Sequence, residues 1–217
     1  MSYEIQDTSS EKPETRNSNL RTKIIGITGG IGSGKSMVAK FIQELGFPVY
    51  NSDFWAKELV NVDDDLKQKI IALLGENSYD ENGKYNIKFV GEMVFENENL
   101  LNSLNKIIHP AVKIHFENWV KAQSSEFVFK ETALLFELKL NENCYKSILV
   151  TAEENIRIKR VMDRDGRTYR EVKEIIDKQM PESEKRKLTD YVIDNNQSIE
   201  ELQLQTNRII QQIQTIL

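Results

Sequence analysis

One stretch near the start of the chain, Gly29-Gly30-Ile31-Gly32-Ser33-Gly34-Lys35-Ser36, constrains the fold more than any other. It fits the spacing G-x-x-x-x-G-K-[ST] without departure. Ahead of it, Lys23-Ile24-Ile25-Gly26-Ile27-Thr28 is a β-branched apolar run of strand length. Behind it, residues 37–45 carry apolar side chains at helical spacing, and Gly46 closes them as a C-terminal cap. Background composition yields the pattern alone in roughly one chain in a hundred of this length. The competing reading, a glycine-rich turn before an ordinary surface helix, has to produce both flanks by accident as well.

Each position in the stretch has a chemical reason. Glycines at 29, 32 and 34 admit backbone conformations that a Cβ forbids, so successive N–H groups can point at one anion. The loop runs into a helix N-terminus, whose unpaired amides and dipole also favour phosphate. Lys35 adds a mobile positive charge that can follow the β- and γ-phosphates, and the Ser36 hydroxyl is small enough to ligate Mg²⁺. The implied ligand is a nucleotide phosphate.

With 217 residues the chain can bury the core of one α/β domain with insertions. A formal charge of −5 favours neither nucleic acid nor an anionic membrane as partner. The single Cys144 rules out an internal disulfide framework and suits a reducing compartment. No apolar run has the length of a membrane span, and no charged-then-apolar leader opens the sequence. The cytoplasm is the expected compartment. Residues 1–22 are polar, mixed in charge and poor in apolar side chains, and they read as a disordered tail.

Along the chain, Phe47-Pro48-Val49-Tyr50 reads as a second strand, ending at Asn51-Ser52-Asp53 before a helix over residues 54–60. Asp53 therefore stands where open α/β sheets bind ligands, and also where a helix takes an N-cap. One carboxylate can serve both. Residues 61–108 are helical in pattern, broken at Gly75 and Asn82-Gly83, and read as an insertion over the binding edge of the sheet. Asp63-Asp64-Asp65 lacks the glycine and distant glutamate of a calcium loop and reads as a solvated helix start. His109-Pro110 is expected to open the next helix, with proline in its favoured first position. His109 and His115, six apart, fall on different helix faces and make a poor metal pair.

Residues 127–136 read as a strand running into a loop, and 145–150 as another. Thr151 with Glu154 is expected to form a capping box. The helix behind it carries Arg157, Arg160 and Arg164 on one face, either a solvated stripe paired with Glu154, Asp163 and Asp165 or guanidinium groups that neutralise a transferring phosphate. A further helix over residues 169–180 stops at Pro181. Residues 190–194 form a short last strand, and Ser198 caps a final helix with an apolar stripe of Ile199, Leu202, Ile209, Ile213 and Leu217.

Taken together, several motifs resemble those of the dephospho-coenzyme A kinases, P-loop enzymes of the nucleoside-monophosphate-kinase-like group. They are Thr28 to Ser36, the Asp53 segment, Val94-Phe95, His109-Pro110, Leu134-Leu135-Phe136-Glu137, Arg160 with Arg164-Asp165, Gln179, and Asp190 to Asn195. The glycine loop alone is widely shared; the combination is far more specific. The resemblance runs from about Lys23 to the C-terminus.

It implies a P-loop three-layer α/β fold with a mostly parallel five-stranded sheet. The domain, residues 23–217, would comprise a core (23–60, 109–151, 181–217), a helical coenzyme-binding insertion (61–108) and a helical lid (152–180). The implied reaction is transfer of the ATP γ-phosphoryl group to the ribose 3′-hydroxyl of dephospho-CoA. By resemblance Asp53, Lys35 and Arg160 are catalytic. ATP is held by Gly30, Ile31, Gly32, Ser33, Gly34, Lys35, Ser36, Met37 and the lid residue Arg164. Asp53, His109, Lys88 and Leu134 lie on the acceptor side, and Ser36 with Glu131 serves Mg²⁺. The protein is expected to act as a monomer or a small homo-oligomer.

The chain departs from the family pattern in places. Asn51 stands where Asp is frequent, Met37 where Thr is usual, Ala133 where Pro is usual, Arg157 at a Gln position, and Ile87, beside Lys88, at an arginine position. Two other readings predict different behaviour. Another P-loop small-molecule kinase would differ only in the acceptor pocket of residues 61–108. A nucleotide sensor would bind through Lys35 and transfer nothing.

Overall fold

The strands follow from β-branched runs bounded by turn residues: β1 (Lys23–Thr28), β2 (Val49–Asn51), β3 (Phe127–Glu131), β4 (Lys146–Thr151) and β5 (Tyr191–Asp194). They form one five-stranded sheet in the order β2-β3-β1-β4-β5, and every pairing is parallel. The computed structural model describes residues 22–95 and 97–215. Apart from Thr22, the expected tail lies outside these residues, as does Leu217 of the C-terminal stripe.

A sheet of this kind must be covered on both faces, because its connections place helices there. Every residue of β3 is accordingly buried. On one face, Ile25 and Ile27 of β1 pack with Phe127 and Phe129 against α1 (Lys35–Glu44) and α9 (Ile199–Thr215). On the other, Ile24 and Tyr50 meet a second cluster built by α2 (Ser52–Val62), α3 (Asp64–Leu74), α4 (Ile87–Phe95) and α5 (Glu98–Lys121). The alternation of Ile24 against Ile25 and Ile27 is the period-two signature of the strand. The helices α6 (Glu154–Asp165) and α7 (Tyr169–Lys178) close a third, small cluster of Ile158, Val161 and Val172, and α8 (Glu182–Leu188) follows. Asp63 starts α3 as expected, its carboxylate accepting from the Leu66 amide at 2.9 Å. Among the described residues no helix is long and apolar enough to cross a membrane.

Local signals were overridden in two places, and in a third a helix gave no local signal. No helix opens at His109-Pro110; α5 runs straight through Pro110, from an Asn97 cap that accepts from Leu100 N at 3.0 Å. An interior proline costs on the order of 3 kcal/mol. Leu104, Val112 and Phe116, buried on both sides of it, each contribute roughly 1.5–3 kcal/mol and outweigh that cost.

Thr151 caps nothing, because it completes β4. The helix behind it starts at Glu154 with no side-chain cap, and the Glu153 amide is met instead by Asn196 Oδ1 at 2.7 Å. The capping box sits at Thr168 and Glu171, ahead of α7. Third, α8 follows Pro181. Its charged sequence, Glu-Ser-Glu-Lys-Arg-Lys-Leu, carries no apolar period to reveal it.

Ile70 has no exposed surface, whereas Ile87 is 73 % exposed. Chemical denaturation should therefore find Ile70→Ala destabilised by about 2–5 kcal/mol, and Ile87→Ala changed by less than about 0.5 kcal/mol.

Candidate active site

The parallel register brings the strand ends together. Glu131, the last residue of β3, is opposite Ile27 of β1 and Asn51 of β2, and the glycine loop leaves β1 one residue later. In that loop Gly32 and Gly34 have φ of +75° and +98°. A Cβ on Gly32 would strike the main chain of Arg157, and one on Gly34 the side chain of Asn195. Sterics and conformation both require glycine there.

Among the described residues the amides of Gly32, Gly34, Lys35 and Ser36 have no hydrogen-bond partner. Those of Ile31, Ser33 and Met37 are engaged, by Gln179 Oε1 at 3.0 Å, Gly30 O at 3.2 Å and Gly34 O at 3.0 Å respectively. The unpaired set leads into the N-terminus of α1, where an anion is favoured.

Glu131 is the hub facing this loop. It is 3 % exposed; Ser36 Oγ donates to its Oε1 at 2.9 Å and Asn51 Nδ2 to its Oε2 at 2.7 Å. Burial pushes its carboxyl above the usual range, with the Ser36 bond and Lys35 pulling it back. Burial likewise lowers the Lys35 ammonium, against the attraction of Glu131 and Asp53. The carboxylate of Asp53 attracts Lys35 and opposes ionisation of Glu131, and it follows by two residues Asn51, whose side chain holds Glu131.

Asp53 is not the N-cap of α2. The helix begins one residue before it, and Asn51 caps through Oδ1, which accepts from Phe54 N at 2.8 Å. The extended backbone of Asn51 meets the cap requirement. Asp53, in the first helical turn, keeps an exposed carboxylate with no capping duty.

The loop is gripped from behind by residues distant in sequence. Arg157 Nε donates to Ile31 O at 3.0 Å, and its Nη1 is 2.7 Å from Glu182 Oε2. Asn195 Nδ2 donates to Ser33 O at 2.8 Å, and Arg160 Nη2 donates to Asn195 O at 3.0 Å. The arginines therefore do not form a solvated stripe. Arg157 is buried in an ion pair, Arg160 is drawn to the end of β5, and Arg164 makes a two-pronged pair with Asp165 at 2.7 and 2.8 Å. Of the expected acidic partners only Asp165 is used; Glu154 pairs with Lys173 at 2.8 Å.

Sequence reasoning missed a second buried pair. Lys185 Nζ lies 2.7 Å from Glu137 Oε1 and donates to Ala133 O at 3.2 Å. Glu137 carried a signal, its place in the Leu-Leu-Phe-Glu motif; Lys185, in a run of charges, carried none.

On the acceptor side the picture is looser. His109 is half-buried within α5, and burial lowers its pKa. Lys88 is exposed on α4, and Leu134 is half-buried in the turn after β3, its amide donating to Thr132 Oγ1 at 3.2 Å. His115 is structural: its ring lies 4.1 Å from that of Trp55, and Nδ1 is 2.9 Å from the Tyr50 hydroxyl. Among the described residues no group of three or more His, Cys, Asp or Glu is placed to hold a metal.

A family model described as dephospho-CoA kinase matches residues 23–201. The chain belongs to the dephospho-CoA kinase family. The dephospho-CoA kinase of Fusobacterium nucleatum is 34 % identical over 190 residues, covering 88 % of this chain and 98 % of its own. That of Geobacillus kaustophilus is 37 % identical over 194 residues, covering 88 % and 96 %. A crystal structure from Thermus thermophilus superposes with a TM-score of 0.78 at 31 % identity, over 91 % of this chain and 98 % of that one. In this dephospho-CoA kinase family member, the glycine loop, Glu131 and Asp53 come from the ends of three adjacent parallel strands and the turns that follow them.

The raised carboxyl of Glu131 has a consequence for stability. Its ordinary pKa is 4.5 and the folded value is higher, so between the two the folded state holds the extra proton and stability falls as pH rises. Glu131→Gln should flatten that slope above pH 4.5 in thermal melts, and parallel slopes for parent and variant would contradict it.

Proposed function

We propose that this chain transfers the γ-phosphoryl group of ATP to the ribose 3′-hydroxyl of dephospho-CoA, yielding coenzyme A and ADP. The observation carrying this reading is the set of four unpaired loop amides beside Lys35, at the sheet edge where Asn51, two residues before Asp53, reaches Glu131. Phosphoryl transfer asks for little beyond this, since its loose transition state is served by positioning and charge neutralisation.

The amides of residues 32 and 34–36 hold the β- and γ-phosphates, and Lys35 follows the charge as it moves to the β–γ bridging oxygen. Asp53 orients the acceptor hydroxyl and accepts its proton late. The loose transition state needs little deprotonation of the alcohol beforehand. The 3′-oxygen bonds to phosphorus, the bond to the bridging oxygen breaks, and ADP departs.

Mg²⁺ fits the donor set. A hydroxyl and a carboxylate are hard oxygen ligands, and this ion uses few protein groups beside phosphates and water. Ser36 Oγ would ligate it directly. Glu131, both of whose oxygens already accept hydrogen bonds, would aim that hydroxyl and contact the ion through water. When bound, Mg²⁺ neutralises charge between the β- and γ-phosphates.

Arg160 and Arg164 belong to the lid of residues 152–180; Arg164 exchanges its Asp165 partner for phosphate. Residues 61–108 form the coenzyme-binding insertion. They are rooted in the core of residues 23–60, 109–151 and 181–217 through α5, which carries His109, while Lys88 and Leu134 contact the coenzyme.

Mass spectrometry of dephospho-CoA incubated with the chain, ATP and Mg²⁺ should show one added phosphate. Transfer to nucleosides or other alcohols in preference to dephospho-CoA would overturn the assignment of acceptor. Asp53→Ala should lower kcat by about 10²–10⁴-fold while ATP affinity stays within about threefold. Lys35→Ala should weaken ATP binding itself, as calorimetry can read directly.

A further inference from the structure

Arg157 does something other than face a phosphate. It is 5 % exposed, it lies directly beneath the glycine loop, and a Cβ on Gly30 or Gly32 would collide with its guanidinium or its main chain. Its donors are divided between two tasks. Nε reaches Ile31 O at 3.0 Å, and Nη1 reaches Glu182 Oε2 at 2.7 Å.

On the other side of the same residue, Gln179 accepts from Ile31 N at 3.0 Å. Residue 31 is thus held at its amide by the end of α7 and at its carbonyl by α6. Among the described residues Glu182 Oε1 is buried without a partner, so the carboxylate depends on Arg157 for its neutralisation. The guanidinium charge is spent inside the protein, on Glu182.

We infer that Arg157 is a positioning residue for ATP binding: its ion pair with the half-buried Glu182 fixes the buried guanidinium so that Nε sets the Ile31 carbonyl and, through it, the phosphate loop. This rests on the reading of the loop as the ATP site. Glu182 supplies the anchor, and the planar fork supplies two donors at a fixed angle. Lysine offers one compact charge without that fork and cannot serve both acceptors in the same way.

Three variants separate positioning from fold stability. R157K keeps a charge for Glu182 but gives up the fixed second donor. It should retain a cooperative melt while its ATP Kd, read by calorimetry without acceptor, rises about tenfold; KM for dephospho-CoA should stay within about twofold. R157M alone leaves the half-buried Glu182 carboxylate, one oxygen of it already buried without a partner, unneutralised and should lose stability as well as affinity, whereas R157M/E182M removes both charges and should recover the melt without recovering ATP affinity.

The inference is overturned if R157K binds ATP as the parent does, if it no longer folds, or if it raises KM for both substrates equally. It is overturned too if R157M/E182M regains parental affinity, or if kcat collapses at unchanged ATP Kd, which would put Arg157 on the reacting phosphate. A parent protein that binds no ATP at all sinks the proposed function, and this inference with it. Parental ATP binding in every variant sinks the inference alone.

Discussion

The site depends on the register of three parallel strands. Glu131 stands opposite Ile27 and Asn51, so the last residue of β3 meets the last turn of β1 and the helix cap after β2 at one height. A slip of one residue would send the Glu131 side chain to the other face of the sheet. Ser36 would lose its acceptor and Asn51 its anchor. The register is itself secured by apolar burial: Ile25, Ile27 and Phe129 must stay on the face covered by α1 and α9, which prices a slip far above any single hydrogen bond. Chemistry at the rim is thereby fixed by packing well below it.

Around that rim the protein tolerates an unusual load of buried charge. Lys35 and Glu131 are each pushed toward neutrality by burial, and each opposes that push on the other. The pairs Arg157–Glu182 and Lys185–Glu137, at 2.7 Å each, sit close behind. Buried ion pairs add little net stability compared with apolar replacements, because desolvation consumes most of the Coulomb gain. Their value here is geometric. Each ties a helix of the region after β4 to the loop, or to the turn that follows β3, and a phosphate-binding backbone has to be held from outside because it cannot hold itself by side-chain packing. Lys185 and Arg157 also oppose protonation of Lys35, so the lysine's charge is maintained by the acids it faces.

What was legible in the sequence was what neighbours in sequence decide. The strand, loop and helix around Gly29 to Ser36 could be read because each turn of chemistry lies within a few residues. The strand ends could be read because β-branched runs stop at polar turn residues. At Asn51 and Asp53 the reading erred by two positions, the difference between a cap and a free carboxylate. The arginine helix shows the limit more sharply: spacing reveals which residues share a face, but not that Glu182, 25 residues on, will neutralise one of them. Gln179 and Asn195 were recognisable as motif residues, yet their tasks appear only where they close on Ile31 and Ser33, 148 and 162 residues away. Pro110 was misread for the opposite reason. Its local preference is strong, and the buried side chains on both flanks are stronger.

The continuity of α5 also changes how the acceptor side must be understood. Spanning 24 residues, at 1.5 Å per residue it is a rod of about 36 Å. It packs with α2, α3 and α4 in the cluster that surrounds Tyr50. Asp53 lies in the first turn of α2, so it belongs mechanically to this helical body, and the phosphate loop belongs to the body formed by α6, α7 and the end of β5. Asn51 joins the helical body to the sheet, one end of its amide on Glu131 of β3 and the other capping α2. An aspartate there would lack the N–H₂ that reaches Glu131 and would bring a second negative charge against it. Asparagine supplies Glu131 with a neutral donor while still capping the helix that carries Asp53.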